Sequence, residues 1–367
     1  MPRFTKLFLI LASFSLNTAC IDAAQPLDRV ILPDGFEIDV YIEGVPSARQ
    51  LALGPGGTVF VGTRRGGKIY AVTDADKDGR AEQIHVIDRN LQRPTGVAIH
   101  EGSLYVGALT TIFRYDDIEN RLGDPPQPVV INDTFPDRTP HASRHLGFGP
   151  DGKLYIPIGA PCNVCDEPGF GRIMRMNPDG SGKEVFASGV RNSVGIAWHP
   201  QTGELWFTDN GRDRMGDDIP SCELNHAPRP GMHFGFPYCH QGDLPDPDYG
   251  EGKNCSDYTP PAVKLGPHVA PLGLTFYTGS MFPDEYRNQL FIAEHGSWNR
   301  SSKIGYRVKL VRFNKDGTVA GQEVFASGWL QGERNWGRPN DVLVMPDGAL
   351  LISDDQAGVI YRVSYDN

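Results

Sequence analysis

The sequence predicts an all-β protein folded as a six-bladed β-propeller, and a repeated phrase is the main observation behind this prediction. Each copy has a polar first residue, an apolar strand, a turn and a second strand, and successive copies begin about 45 to 80 residues apart. This spacing is typical of four-stranded blades with loop insertions, and no helical periodicity competes with it. The six copies begin at Arg49, Arg93, Arg144, Arg191, Ala270 and Arg338.

The third copy shows how the repeat forms a β-hairpin. An apolar run at 146–148 and an aromatic-containing strand at 154–158 flank the turn Pro150–Gly152, where glycine supplies the positive φ that the turn needs. His141 and Arg144 precede the inner strand, at the end where propeller blades deliver side chains to a central channel. We therefore expect functional residues at this end of the blades.

Length and composition predict one large domain over residues 25–367. A chain of 367 residues with 39% hydrophobic residues can bury an extensive core. The segment Gly35–Tyr41 alternates like a strand but has no repeat of its own, so we expect it to close the ring by pairing with the last blade. A formal net charge of −10 argues against nucleic acid or an anionic membrane surface as a partner.

Residues 1–24 have the pattern of a signal peptide. Two basic residues precede an apolar run at 7–16, which is too short to span a bilayer, so the sequence predicts export to the periplasm or secretion and no transmembrane segment. Cleavage near Ala24 and a lipoprotein junction at Cys20 both remain open, because the preceding leucine, Leu16, lies one place too early for a lipoprotein signal.

The cysteines also favour an oxidising compartment. Cys162 and Cys165 have a spacing found in metal and redox sites, but no second such pair exists, so a local disulfide is favoured over zinc. Cys239 and Cys255 would close a loop inside the longest insertion, and Cys222 then has no assigned partner.

Six phrases in the same order resemble the soluble sugar dehydrogenases that depend on pyrroloquinoline quinone (PQQ). The resemblance covers nearly all of the mature chain and is greatest with the branch called sorbosone dehydrogenase. The phrases are HASRHLGFGPDGKLY, GVRNSVGIAWHPQTGELWFTDNGRD, HFGFPYCH, LGPHVAPLGLTFYTG, FIAEHGSWNR and GRPNDVLVMPDGALLISDDQAGVIYR.

The resemblance implies a quinone over the channel, with a calcium ion beneath its carbonyl groups. The catalytic histidine of the family matches His141, in the pattern His, two residues, Arg, one residue, Leu. Imidazole suits the role, because a sugar hydroxyl or aldehyde hydrate that loses hydride must also lose a proton. His145 is the rival base, and we interpret it as a packing residue.

The cofactor is a tricarboxylate, so the resemblance implies cationic and amide contacts around it. The glucose-oxidising relatives have a lysine where this chain has His295 and Arg300. The predicted cofactor contacts are Arg64, Arg191, Asn192, His295, Arg300 and Arg338.

The resemblance also places calcium on the backbone carbonyl groups of Gly211 and Arg212, since hard oxygen ligands suit this ion. The family has proline at the position of Arg212. The alternative role for the nearby Asp217 and Asp218 is to hold this loop by hydrogen bonds.

A second metal-like run contains Asp74, Asp76 and Asp78. It resembles the first half of an EF-hand loop, but His85 occupies the twelfth position, which excludes a true EF-hand. A polar hairpin turn and a structural calcium site are the two remaining interpretations.

The long insertion at about 212–269 is predicted to form the substrate pocket, because loops on a rigid scaffold carry recognition. A disulfide-pinned cover over blade four is the alternative. The insertion contains these side chains suited to sugar binding: Tyr238, Tyr249, Tyr258, His226, His233 and His240.

The sequence thus predicts an exported oxidoreductase that transfers hydride from an aldose or sugar aldehyde to bound PQQ and passes electrons to an external acceptor. Two other classes remain open, because a propeller fold alone does not determine function. One is a calcium-dependent lactonase that would use Asp209, Asn192 and Asp341. The other is a propeller that only binds a partner.

Overall fold

The computed structural model describes Met1 and residues 25–138 and 140–366, and it confirms the all-β, six-bladed propeller. The predicted signal peptide falls almost entirely on residues 2–24, which lie outside the described residues. Within the described part, no helix is long and apolar enough to cross a membrane. Short 3₁₀ helices lie at Leu27–Arg29, Glu119–Arg121, Cys255–Asp257 and Asp284–Tyr286.

The first strand and the first two blades follow the predicted order, and each blade is an antiparallel meander. Strand β1 (Phe36–Glu43) precedes blade one. Blade one contains β2 (Ala48–Leu53), β3 (Val59–Thr63), β4 (Ile69–Thr73) and β5 (Gln83–Asp88). Blade two contains β6 (Gly96–His100), β7 (Ser103–Gly107), β8 (Ile112–Tyr115) and β9 (Val129–Asn132).

Blades three and four are joined by a strand of the long insertion, because β17 pairs in parallel with β13 at the outer edge of blade three. Blade three contains β10 (Gly147–Phe148), β11 (Leu154–Ile158), β12 (Arg172–Met176) and β13 (Glu184–Ser188). Blade four contains β14 (Ile196–Trp198), β15 (Leu205–Asp209), β16 (Ser221–Ala227) and, after the insertion, β20 (Val263–Pro267). The insertion itself contains β17 (Met232–His233), β18 (Cys239–His240) and β19 (Leu244–Pro245).

The last blade closes the ring as the sequence predicts, because β1 pairs antiparallel with the final strand, from Phe36 opposite Tyr365 to Glu43 opposite Val359. Blade five contains β21 (Pro271–Phe276), β22 (Leu290–Glu294), β23 (Arg307–Phe313) and β24 (Val319–Ala326). A short hairpin of β25 (Leu330–Gln331) and β26 (Arg334–Asn335) follows. Blade six contains β27 (Pro339–Val344), β28 (Leu350–Asp354) and β29 (Val359–Tyr365).

The inner strands are held together by polar contacts across the channel as well as by apolar packing between blades. The Gln50 side chain accepts hydrogen bonds from the backbone N–H groups of Val97 and Leu146 and donates to the Leu146 carbonyl. Glycine is needed where the backbones are closest: a Cβ on Gly96 would lie 1.6 Å from the carbonyl oxygen of Arg144. The starts of the inner strands are therefore fixed relative to one another, which fixes any site built there.

Both predicted disulfides are present. Cys162 is bonded to Cys165 and Cys239 to Cys255, while Cys222 is a free, buried thiol. Burial raises the pKa of the Cys222 thiol to about 11, so it stays protonated at neutral pH.

The acidic run forms a hairpin turn between β4 and β5. Asp74 accepts a hydrogen bond from the Gly79 N–H and Asp78 from the Arg80 N–H, which is how Asp side chains stabilise turns. Carboxylate oxygens of Asp74, Asp76, Asp78 and Glu82 lie within 4.8 Å of one another. The hairpin interpretation is thus confirmed, and the structural calcium stays a prediction.

Candidate functional site

A cavity of about 410 Å³ lies where the blades begin, at the end of the channel that the repeat predicts. Most of the predicted site residues meet in its wall, although they come from positions up to 274 residues apart in the chain, from Arg64 to Arg338. The predicted residues in the wall are Arg64, His141, Arg191, Asn192, Gly211, His295 and Arg338.

His141 lies in the wall with one ring nitrogen held by the backbone. Its Nδ1 lies 2.7 Å from the carbonyl oxygen of Ala160, and because a carbonyl only accepts, Nδ1 carries the proton. Nε2 is then the basic nitrogen. Glycine at position 159 permits this arrangement, because a Cβ there would lie 2.6 Å from the Cβ of His141.

The surroundings of His141 keep its imidazole neutral. Burial and, to a smaller extent, the Arg191 guanidinium lower its pKa to about 3, against the opposing effect of the hydrogen bond to the Ala160 carbonyl. The histidine is therefore unprotonated at neutral pH and weaker as a base than a free imidazole.

The rival histidine occupies a different place. His145 is buried and lines a much smaller space below the main cavity, together with Gln50 and Asp341. Burial alone lowers its pKa to about 3. His145 does not line the main cavity, which agrees with its interpretation as a packing residue.

Arg191 is almost completely buried, with 3% of its surface exposed, and its guanidinium is fixed by the surrounding loops. Nη1 donates to the carbonyl of Gly211 at 2.8 Å, Nη2 to Asp213 at 3.0 Å, and Nε to the carbonyl of Asn163 at 2.8 Å. Its own N–H and that of Asn192 donate to the carboxylate of Asp209, so the start of blade four is held rigidly.

Arg338 and His295 meet from neighbouring blades. The Arg338 guanidinium donates to the carbonyl groups of His295 and Gly296 at 3.0 and 2.8 Å and lies over the ring of Tyr306. The His295 Nε2 lies 2.7 Å from the carboxylate of Asp355. Burial lowers the pKa of His295 to about 4, against the opposing effect of Asp355.

Arg49 also lines the cavity but was not among the predicted cofactor contacts. Its guanidinium pairs with Asp355 at 2.5 Å. Burial opposes ionisation of Asp355, but His295 and Arg49 outweigh it and hold the pKa of that carboxyl well below its usual range. The repeat contained the signal, since Arg49 begins the first copy just as Arg191 and Arg338 begin the fourth and sixth.

Arg64 differs from the other arginines in the wall because its guanidinium has no hydrogen-bond partner among the described residues. Burial lowers its pKa, Arg93 lowers it further and Asp355 opposes both effects. That carboxylate, however, is already paired with Arg49 and His295. An anionic ligand would supply the missing partner.

Two predicted residues have side chains elsewhere. The Arg212 side chain pairs with Asp246 and Asp248 in the insertion. Arg300 donates to the carbonyl of Asp217 at 3.2 Å and lies 3.3 Å from the carboxylate of Asp218. Neither lines the cavity. Asp217 also accepts from the Ser301 N–H, so these two aspartates hold the loop at 300–301 and not the loop of Gly211 and Arg212 that the sequence suggested.

The donor set of the cavity fits a tricarboxylate. Among the described residues, four arginines and three histidines line it, whereas the one carboxylate in its wall, Asp213, is already paired with Arg191. Burying several carboxylates is prohibitive unless cations and hydrogen-bond donors meet them, and this wall supplies both. One buried donor, the Nδ2 of Asn299, has no partner among the described residues.

The predicted calcium ligands, the carbonyl groups of Gly211 and Arg212, suit the ion less well than the cavity suits the cofactor. Backbone carbonyl oxygens are suitable ligands, but the Gly211 oxygen already accepts a hydrogen bond from the positive guanidinium of Arg191. Calcium at Gly211 would have to share or displace this contact and would need further negative charge nearby. The loop is thus not a preformed calcium site.

The aromatic residues of the insertion build a second cavity. His233 and Tyr238 line a space of about 280 Å³ against the disulfide loop of Cys165, on the other side of Ala160 from His141. Tyr249, Tyr258, His226 and His240 line neither this space nor the main cavity. From the insertion, the main cavity receives only Asp213, Cys222 and His268 among the described residues.

Comparison with known proteins gives matches over nearly the whole chain. The family described as Glucose / Sorbosone dehydrogenase matches residues 108–362. An uncharacterized protein of Borreliella burgdorferi is 31% identical over 98% of this chain and 97% of its own length. The pyrroloquinoline quinone-dependent pyranose dehydrogenase of Coprinopsis cinerea is 25% identical over 81% of this chain, which corresponds to 47% of that protein.

Solved structures agree on the fold. The holo form of the PQQ domain of that Coprinopsis cinerea enzyme has a TM-score of 0.79 at 19% identity, covering 94% of this chain and 99% of the domain. A calcium structure of a Trichoderma reesei carbohydrate-active enzyme of family AA12 has a TM-score of 0.80 at 19% identity, covering 92% of this chain and 97% of the other. Because the family match extends over residues 108–362, more than half of the chain, we conclude that the chain belongs to the glucose/sorbosone dehydrogenase family.

Proposed function

We propose that this protein is an exported quinoprotein that oxidises an aldose or a sorbosone-like sugar aldehyde, with PQQ as the hydride acceptor and an external electron acceptor. The observation that carries the proposal is the cationic cavity, in which Arg64, Arg191 and Arg338 surround a space that His141, with its Nδ1 held by the backbone, also lines. The PQQ-binding domain of the Coprinopsis cinerea enzyme supports it by analogy.

Arg338, Arg64 and Asn192 would hold the cofactor carboxylates, and Arg49 would add to the positive field. The guanidinium fork of Arg338 is already oriented by two carbonyl groups, so little side-chain entropy is lost on binding. PQQ, when bound, supplies a quinone that accepts hydride from the substrate carbon. Arg191 would act mainly by its charge, because its donors are engaged by the protein.

His141 would take the proton from the substrate hydroxyl on Nε2. The Nδ1–H remains hydrogen-bonded to the Ala160 carbonyl, so the imidazolium that forms keeps a partner for its second N–H. Anionic carboxylates beside Arg191 and Arg64 would offset the positive charges that lower the pKa of His141. The bound cofactor would therefore make His141 a stronger base.

We also propose calcium near the carbonyl groups of Gly211 and Arg212, bound together with the cofactor. The calcium structure of the Trichoderma reesei relative supports a role for this ion in such proteins. The positively charged guanidinium of Arg191 donates to the Gly211 carbonyl and would repel calcium there. Calcium would therefore bind well only when the cofactor carboxylates are also present.

Export to the periplasm or the exterior is part of the proposal, with a lipid anchor at Cys20 as one form of it. The two disulfides, Cys162 with Cys165 and Cys239 with Cys255, support an oxidising compartment.

The lactonase alternative has less support, because its proposed ligands do not meet. The Asp209 carboxylate accepts the N–H groups of Arg191 and Asn192, and the Asp341 carboxylate accepts the N–H of Leu51. Neither carboxylate lines the main cavity, so these groups hold backbone segments in place.

Reconstitution tests the proposal. Apoprotein is mixed with PQQ, with and without calcium, and its visible absorbance is followed while an aldose is added. We expect stoichiometric quinone binding and reduction of the chromophore by sugar. Binding without reduction by any aldose or sugar aldehyde would contradict the dehydrogenase, and absence of binding would favour the lactonase or a binding propeller.

A further inference from the structure

The rim of the cofactor cavity carries one unusual aromatic residue. Trp298 is 69% exposed and lines the cavity, whereas the other four tryptophans, all in the described part of the chain, are buried or half-buried. A single exposed aromatic residue needs no explanation on an ordinary surface. At the mouth of a cavity it offers a flat apolar face to a ligand.

The loop around Trp298 is fixed on both sides. Before it, the Ser297 carbonyl accepts from the Tyr306 hydroxyl at 2.6 Å, and the Ser297 N–H donates to the carbonyl of Ile304. After it, Arg300 donates to the carbonyl of Asp217 at 3.2 Å. The indole itself has no aromatic or hydrogen-bonding partner among the described residues. An anchored loop thus presents an uncovered ring.

The next residue in the chain, Asn299, supplies a polar group with no hydrogen-bond partner in the described part of the chain. The Nδ2 of Asn299 is buried and makes no hydrogen bond to any described residue, although Asn299 lines the same cavity. A buried N–H group without a partner costs free energy, which a ligand oxygen would recover. Trp298 and Asn299 are uncharged, unlike the arginines that face the anionic cofactor.

We infer that Trp298 and Asn299 form the substrate-recognition pair for a neutral pyranose, an inference that rests on the proposed function. The indole would cover the C–H face of the sugar ring, and the Asn299 amide would donate to a ring hydroxyl oxygen. This chemistry suits a saccharide, which presents an apolar face and hydroxyl groups at its edge. Arg300 then acts on the sugar indirectly, by holding the loop.

The test compares Trp298→Ala, Trp298→Phe and Asn299→Asp with a control, Tyr249→Ala, which removes an exposed aromatic ring of the insertion that lines neither cavity. Steady-state kinetics use D-glucose at saturating dye acceptor. Calorimetry of the holoprotein uses 1,5-anhydro-D-glucitol, a pyranose without an anomeric hydroxyl.

We expect Trp298→Ala to raise both the KM for glucose and the Kd for the anhydroalditol about tenfold, with kcat changed less than about twofold, because the ring contributes to binding and not to hydride transfer. Trp298→Phe should restore most of the affinity. Asn299→Asp should raise the KM and the Kd, because a carboxylate cannot donate the hydrogen bond that the amide would make. Tyr249→Ala should change neither constant.

Unchanged KM and Kd in Trp298→Ala would overturn the inference while leaving the dehydrogenase intact. A loss of PQQ affinity in apoprotein titrations would assign the indole to the cofactor instead, and a change confined to the KM of the acceptor would assign it to electron-acceptor docking. Absence of saturable pyranose binding to the wild-type holoprotein would also overturn it. Failure of every aldose to reduce the quinone would contradict the proposed function itself.

Discussion

The main cavity and the small space beneath it use the same parts of the repeat but differ in how their polar groups are satisfied. Below, Gln50 is bonded to two neighbouring blades and Asp341 to the N–H of Leu51. Above, the Nδ2 of Asn299 is buried without a partner among the described residues, and the exposed guanidinium of Arg64 makes no hydrogen bond to any of them. Satisfied polar groups stabilise a fold, and groups left open in a cavity indicate a ligand.

The comparison also separates two histidines that lie four positions apart. His141 is oriented by the Ala160 carbonyl and lines the main cavity, whereas His145 is enclosed in the small space. Burial lowers the pKa of both to about 3, so the pKa alone does not distinguish a base from a packing residue. Position relative to the cavity does.

The largest expected effect is the loss of turnover when His141 is replaced, which tests the contrast between the two histidines. His141→Ala should bind PQQ normally but lose roughly 10²- to 10⁴-fold in kcat, the usual consequence of removing a general base. Quinone titration and sugar-dependent dye reduction measure the two properties separately. Near-wild-type turnover in the reconstituted variant would transfer the role to His145.

Arg338 and Arg300 offer a second contrast, because the sequence assigned both to the cofactor and the structure places only Arg338 in the cavity wall. Arg338→Ala should weaken PQQ binding by roughly 2 kcal/mol or more, about 30-fold, since it removes a charged partner from a desolvated anion. The apoprotein should remain folded. Calorimetric titration gives the affinity.

The matched control is Arg300→Ala, which should leave PQQ affinity within about twofold, because its guanidinium contacts only the neighbouring loops. Equal losses in the two variants would show that the cofactor lies differently in the cavity. A PQQ affinity insensitive to Arg338→Ala would show that the assigned cofactor contacts are wrong.

The backbone pattern of this protein was predictable because strand repeats are local. The six starting residues, the hairpin turns and closure by the segment before blade one all follow from short stretches of sequence. Pairing of β17 with blade three was not predictable, since a two-residue parallel contact leaves no periodic signal.

Side-chain direction limited the site prediction. Arg300 lies five residues after His295, yet the turn between them sends Arg300 toward Asp217 and away from the cavity. Arg212 likewise points into the insertion, toward Asp246 and Asp248. Adjacency in sequence therefore indicated the correct loops but not which side chains face the ligand.

The third prediction concerns calcium and the contact between Arg191 and Gly211. Because a guanidinium already occupies the Gly211 carbonyl, calcium should bind the apoprotein weakly and bind tightly only with PQQ present. With both at about 100 times Kd, each ligand should raise the free energy of unfolding by about 2.7 kcal/mol.

Thermal unfolding with calcium alone, PQQ alone, both, and both after chelation measures this linkage. Chelation should lower the melting temperature and release the quinone, and magnesium in place of calcium serves as the control. Quinone binding indifferent to a chelator would remove calcium from the proposed site.

The last prediction uses pH to distinguish the enclosed histidine from its surroundings. The folded-state pKa of His145, about 3, lies below the ordinary value of about 6.5 in the unfolded chain. Between these values the unfolded chain binds more protons, so stability from His145 is present above about pH 6.5 and is lost as the pH falls. The slope is at most about 1.4 kcal/mol per pH unit.

Other buried groups also titrate, so the measurement must be a difference between variants. Burial raises the pKa of Asp341 to about 7, which contributes in the opposite direction, because that stability is lost as pH rises. In urea unfolding of the apoprotein, the free energy of unfolding of His145→Gln relative to the wild type should rise as the pH falls from 7 to 5, because only the wild type loses the His145 contribution. Val194→Ala, which alters the same small space without a titratable group, should lower stability equally at each pH. Parallel curves for His145→Gln and the wild type would mean that His145 can be protonated within the fold, and its assignment as an enclosed packing residue would then fail.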